Sequence, residues 1–206
     1  GYTQRSGRFD ATSALSVENL IDLTHADFLH ANTIGDGVSE SDVVEVQWTS
    51  ETVTRTRTVA QKSVAPIMRW VGGVRARYQD FRAVLHIHLR SNVCISYPRF
   101  RPGYDVPNLQ PFLPVGKHRS RCDVTFNTTA APAPFRYVMP RINYIIQPQD
   151  NSVVRPQNQR YFEVDPRRDL HSRFDTPGTR YRYQMEQLAE RQRAGQFTYG
   201  GDAEPG

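Results

Sequence analysis

Residues 80–92 read D-F-R-A-V-L-H-I-H-L-R-S-N, and the reading of this stretch decides the fold. Phe81, Ala83, Leu85, Ile87 and Leu89 share one face of an extended chain; Arg82, Val84, His86, His88 and Arg90 share the other. Alternation with period two marks a half-buried strand rather than a helix. The same stretch carries the ligand-like pair His86-x-His88, so it has to be judged both as core and as site.

Working outward, residues 42–48 and 52–59 alternate in the same way and are rich in Val and Thr, which favour strands. Pro66 followed by Gly72-Gly73 brackets a short helical turn, since Pro is tolerated in a first turn and Gly ends one. Ser16 opens another short helix through Val17, Leu20 and Ile21. Beyond the central stretch, residues 93–97 and 123–127 read as strands, while Pro98, Pro102 and Pro107 bar a central strand between them. Residues 135–146 have strand composition interrupted at Pro140, residues 147–159 read as a long loop, and residues 161–164 as a last short strand. A weakly amphipathic helix spans about 181–194, with Met185 and Leu188 as its apolar face, and Gly195 ends it. Several short strands, Pro-rich connections and brief helices predict an all-β sandwich; the resemblance drawn below from the order of these blocks implies an eight-stranded antiparallel jelly roll. Its expected parts are an N-terminal arm (1–15), the sandwich (16–165) and a long C-terminal tail (166–206).

Composition narrows the function classes. The 206 residues suit one domain, and 38% apolar content is low enough to imply partner-covered surface. No apolar run reaches the ~18–20 residues of a membrane span, and residues 1–10 lack the apolar centre of a signal peptide. Cys94 and Cys122 are too few for a disulfide framework and read as buried, reduced thiols. Residues 1–54 carry a net −7 and residues 55–101 a net +9, almost all of it Arg, which points to contacts between complementary surfaces.

Few residues invite chemistry. His86 and His88 are placed as two imidazoles of a cupin-like metal enzyme would be, but no acid follows them, and Arg82 and Arg90 on the same face would repel a cation. They therefore read as polar-face or interface histidines. Asp22, His25 and Asp27 sit close together without a nucleophile nearby and are not expected to be catalytic. No nucleophile elbow, zinc-protease motif, phosphate loop or dinucleotide fingerprint occurs. Arg and aromatic residues interleave at Arg77-Tyr78, Arg99-Phe100, Arg136-Tyr137 and 180–183, a pattern that base stacking and subunit packing both produce.

Taken in order, the blocks S-A-L-S-V-E-N-L-I (13–21), the run from Pro66 to Asn92, S-Y-P-R-F-R-P-G-Y-D-V-P (96–107) and V-T-F-N-T-T-A-A-P-A-P-F-R-Y-V-M-P (124–140) resemble the jelly-roll capsid proteins of picornaviruses and picorna-like viruses, in particular the one around the fivefold axes. The resemblance implies a structural protein of the virion, not an enzyme, assembled in the host cytoplasm after release from a polyprotein. It implies no cofactor and no metal, with sister capsid chains, copies of itself around a symmetry axis, non-specifically bound viral RNA and a host receptor as partners. Arg5 and Arg8 in the arm are then the expected RNA contacts, and His86 and His88 a pH-sensitive interface. The alternatives are a cupin-like metalloenzyme using His86 and His88, and a free-standing RNA-binding module.

Overall fold

The computed structural model describes residues 2–30, 42–163 and 175–198. Its framework is a single seven-stranded sheet: β1 (Tyr2–Phe9), β2 (Val43–Trp48), β3 (Thr52–Ser63), β4 (Tyr78–His88), β5 (Val93–Arg101), β6 (Asn108–Gly116) and β7 (Arg119–Asn127). The order is β1-β7-β6-β5-β4-β3-β2 with every neighbouring pair antiparallel. From β2 to β7 the chain meanders, each strand pairing with the next, and β1 closes the far edge beside β7.

Among the described residues there are five helices: α1 (Ser13–Ile21), α2 (His25–Leu29), α3 (Pro66–Trp70), α4 (Phe135–Glu163) and α5 (Thr176–Arg193). Leu15, Val17 and Ile21 of α1, Phe135 and Val154 of α4, and Tyr181 and Leu188 of α5 join one buried cluster with Val53, Leu85, Ile87, Cys94, Phe112 and Val124 of the sheet. The alternation of residues 80–92 is the physical origin of this layer: Ala83, Leu85 and Ile87 face the helices, while His86 and His88 point to the other face and stay half-buried.

The eight-stranded jelly-roll expectation is wrong because residues 135–163 are neither strand nor loop but one 29-residue helix. Three prolines stand inside it, at 140, 148 and 156, each removing one backbone donor. Pro148 and Pro156 lie on its exposed side, where water can satisfy the freed carbonyls. Phe135, Met139, Ile142, Asn143, Ile146, Gln147, Asp150, Val154 and Asn158 recur every three to four residues along the inward side. Four of those nine are polar, so the stripe shows poorly in a hydrophobicity pattern. Tyr161, expected in an eighth strand, lies in this helix, and residue 164 is outside the described residues.

The segment expected as a free arm contains β1, registered with β7 from Tyr2 opposite Asn127 to Phe9 opposite Ser120. Helix α4 packs over it: Gly7 leaves room for the Gln147 side chain, where any Cβ would collide with it. The Arg5 guanidinium lies 3.0 Å from the centroid of the Tyr144 ring. Helix α5, in the expected tail, is also docked. Arg182 forks onto Glu18 of α1 at 2.7 and 2.8 Å, and the Tyr181 hydroxyl donates to Asn92.

Cys94 and Cys122 are free and buried at 0% and 2% exposure, and burial pushes both thiols far above their ordinary value. Such thiols lack the thiolate that reacts. A thiol-specific disulfide reagent is expected to modify neither in the native protein and both once it is unfolded; rapid labelling of the native protein would contradict this packing.

Candidate metal centre

Two arginines on the inner face of β3 set the position of the site. Arg55, fully buried, donates to the carbonyl of Ile21 at the end of α1, and burial lowers its pKa to about 10. Arg57 donates to the carbonyl of Leu23 at 3.0 Å and forms ion pairs with Asp27 in α2 and with Asp42, the latter at 2.5 Å. Lys62 completes the network by pairing with Asp27 at 2.6 Å. The 22–24 turn and the short helix α2 are thereby fixed against the sheet.

Helix α2 begins with His25 and is closed by His30, whose backbone at φ −111° and ψ 25° leaves the helical region. Both imidazoles face Asp150 on the inward side of α4. His25 Nε2 stands 3.3 Å and His30 Nε2 3.1 Å from Asp150 Oδ1. One donor atom from each residue lies within 4.8 Å of the other two, and the two rings meet edge to face with centroids 5.3 Å apart. His30 is 1% exposed, Asp150 13% and His25 16%, so the cluster is almost dry.

The opposite ring nitrogens decide what the cluster can do. His25 Nδ1 contacts the backbone carbonyl of Asp22, and His30 Nδ1 the side-chain oxygen of Gln149 at 2.8 Å. A carbonyl oxygen can only accept, so each Nδ1 carries its proton; a carboxylate also only accepts, so each Nε2 bonds Asp150 through a proton of its own, whose place a metal ion would take. Imidazoles that ligate metals are oriented in this way, with the second nitrogen donating to an oxygen. Asn19 Nδ2 donates to Asp150 Oδ1 at 3.1 Å and helps hold the carboxylate. In the metal-free chain burial penalises the Asp150 anion, yet its bonds to His25 and His30 outweigh that and take its pKa down to about 2. Burial likewise opposes charge on His25, but the contact with Asp150 prevails and raises its pKa. Two neutral nitrogens and one carboxylate on one side of a cavity form the donor set of the two-histidine, one-carboxylate ferrous oxygenases. The residues present therefore fit a mononuclear iron.

The cluster is part of the wall of a cavity of about 280 Å³ lined by both helices and sheet. Leu20, Leu23, Met68, Phe100, Phe112 and Phe135 supply much of its apolar lining. The size and lining suit one small organic molecule, just below the about 300–1,000 Å³ usual for ligand sites.

The family model for the vanillate O-demethylase oxygenase C-terminal domain matches residues 9–191, and the chain belongs to that family. No curated protein matches the chain. Among solved structures it is similar to dicamba monooxygenase bound to 3,6-dichlorosalicylic acid, with a TM-score of 0.79 and 16% identity over 94% of this chain and 61% of that one. A mutant of NdmA from Pseudomonas putida CBB5 with caffeine gives 0.67 and 13%, over 95% of this chain and 52% of that one. A quaternary ammonium Rieske monooxygenase gives 0.63 and 12%, over 92% and 50%. The chain thus spans about three fifths of the first relative and half of the others.

Membership of an oxygenase family overturns the capsid reading, and with it the expectation that the chain is not an enzyme. The virion location, sister capsid chains, viral RNA and host receptor fall too. The capsid resemblance rested on alternating strands and Pro-containing turns in a certain order, which any large antiparallel sheet with short connections shares. Arg5, expected to touch RNA, stacks on Tyr144, and Arg8, likewise expected there, is an exposed residue opposite Arg121 on the edge strand. His86 and His88 lie on the sheet face away from the helices, bonded to Thr54 at 2.8 Å and Ser91 at 3.0 Å. Burial first, then the neighbouring His88, lowers the His86 pKa. The shell interface expected of this pair goes with the capsid reading. Among the described residues, the one group of three potential metal ligands is His25, His30 and Asp150, so the cupin-like alternative has no third ligand there.

In sequence, His25 was weighed only with Asp22 and Asp27 as a nucleophile-based site, His30 was given no role, and Asp150 fell in the expected loop of residues 147–159. A usable signal was present: two histidines five residues apart, with an acid on a helical stripe far downstream.

Proposed function

We propose that the chain is the catalytic part of a non-haem iron monooxygenase that oxidises a small organic molecule in the 280 Å³ cavity. The observation that carries this reading is the convergence of two Nε2 atoms and one carboxylate, each held from behind, in the wall of a largely apolar cavity. His25, His30 and Asp150 would hold ferrous iron, which supplies a centre where O2, two electrons and two protons convert a substrate methyl ether into an alcohol or phenol, formaldehyde and water.

The rest of the work falls to this chain's own residues. Asp22 and Gln149 accept from the two Nδ1 atoms and so aim both Nε2 atoms at the place where the iron would sit. Asn19 orients the Asp150 carboxylate. The Arg57, Asp27, Asp42 and Lys62 network keeps α2 in place under the site, and the aromatic and aliphatic walls exclude water. Cys94 and Cys122 are both buried in the core, and a Rieske cluster requires two cysteines and two histidines at one cluster. The electrons would come from a donor other than a cluster held by these two cysteines.

The direct test bypasses that supply, because hydrogen peroxide already carries dioxygen's two electrons and two protons. The iron-loaded chain mixed with hydrogen peroxide and 4-methoxybenzamide is expected to release formaldehyde, up to one per chain in a single turnover. An iron-replete chain that releases none would count against the reading. Gln149→Leu removes the acceptor behind His30, and iron affinity is expected to fall about 10- to 100-fold, read by anaerobic ferrous titration. An unchanged affinity would show that His30 is oriented in some other way.

A further inference from the structure

Asn143 lies two helical turns before Asp150 on the same stripe of α4 and lines the same cavity. It is 8% exposed, and its Nδ2 is buried without any hydrogen-bond partner. A buried amide donor is almost always satisfied, and one left unpaired in a cavity wall is a donor that a ligand can complete. The seven-residue step from Asn143 to Asp150 corresponds to about 10 Å of helix, at 1.5 Å per residue. That is the span of a single aromatic ring with a substituent at each end.

The charges around the cavity narrow the ligand further. Of the cations in its lining, Arg57 is bound by Asp27 and Asp42, Lys62 by Asp27, and Arg99 faces Asp105 at 3.5 Å. Across the cavity, the sheet offers Ser96 and Asn108, neutral and already bonded to each other at 2.7 Å. Among the described residues every arginine and lysine of the lining already has an ion-pair partner, although the Nε atoms of Arg57 and Arg99 are, like Asn143 Nδ2, without a hydrogen-bond partner, and burying an anion without a free cation is costly.

Building on the oxygenase reading, we propose that Asn143 is the specificity-determining residue. Its Nδ2 donates to an uncharged oxygen acceptor at one end of a single-ring aromatic substrate and so presents the opposite end to His25, His30 and Asp150. The preferred class is a neutral aromatic amide, ketone or ester, and the corresponding carboxylate is disfavoured.

Calorimetric titration of the full chain with 4-methoxybenzamide and with 4-methoxybenzoate tests this, with iron content measured on the same samples. Wild type is expected to bind the amide at least about tenfold more tightly than the carboxylate. Asn143→Leu is expected to weaken amide binding about tenfold, the scale of one buried hydrogen bond. The same variant should keep its iron and melt no lower than wild type, because it removes an unsatisfied donor. Asn143→Asp, equal in size but without the donor, is expected to lose the amide as well. The proposal fails if the carboxylate binds as tightly as the amide, if neither probe binds, if Asn143→Leu binds the amide as wild type does, or if that variant melts several degrees lower. Failure of the oxygenase reading would look different, as wild-type protein that takes up the amide but holds no iron.

Discussion

Asp150→Ala is expected to leave the fold intact and to abolish both iron retention and peroxide-driven formaldehyde release. Asp150 is the sole carboxylate of the cluster, and its Oδ1 is the point on which His25 Nε2 and His30 Nε2 converge. Without it two neutral imidazoles remain, a set that holds a ferrous ion poorly because a hard divalent cation favours oxygen donors. Iron content should fall from one per chain to near zero and turnover to background, while circular dichroism keeps its native shape. His25→Ala and His30→Ala should behave alike, since each removes a different ligand of the same ion. A variant at any of the three that keeps full iron would remove that residue from the site.

Arg57→Met is expected to have the largest effect on stability. Arg57 is 2% exposed and holds Asp27 and Asp42 together, and Asp42 has no other ion pair among those described. Removing one partner of a buried network leaves an uncompensated charge and costs about 3–5 kcal/mol. Denaturant unfolding should therefore show a loss of that size. Because Asp27 belongs to the helix between His25 and His30, the variant should also bind iron more weakly than the loss of stability alone would require. Arg57→Met combined with Asp42→Asn should recover part of the stability, since it neutralises the anion left unpaired. A loss below about 1 kcal/mol in the single variant would mean that these charges are already solvated.

The sheet was the legible part of the chain. In residues 80–92, period-two alternation reports directly on burial, and Ala83, Leu85 and Ile87 are on the inner face for that reason. The strands from 42–48 and 52–59 were legible in the same way. Helix α4 was not, for a physical reason rather than for lack of order. Its inward stripe carries Asn143, Gln147, Asp150 and Asn158 because that side faces a cavity and a polar cluster, so the pattern that marks a core-facing helix is broken where the function lies. Three prolines then disguised it as loop. Strand β1 was hidden because an edge strand under a helix needs little apolar content, and Arg5 contributes its stacking on Tyr144 instead of a hydrophobic contact.

The candidate metal cluster was illegible for a related reason. His25 and His30 are separated by five residues, which on a continuous helix would not place them on one face; it is the departure of His30 from helical geometry that brings the second ring around. Asp150 lies 120 residues beyond His30, and only the packing of α4 against α1 and α2 joins them. By contrast, His86 and His88 were conspicuous in sequence and proved to lie on the opposite face of the sheet from the cavity. Proximity in sequence drew attention to a pair that lies away from the cavity.

Anaerobic titration of the purified, metal-free chain with ferrous ion tests the central claim most directly. The structure leads us to expect one tightly held iron per chain in wild type and in a His86→Gln, His88→Gln variant. Binding well below one iron per chain in wild type, or a loss of iron on replacing His86 and His88, would contradict it.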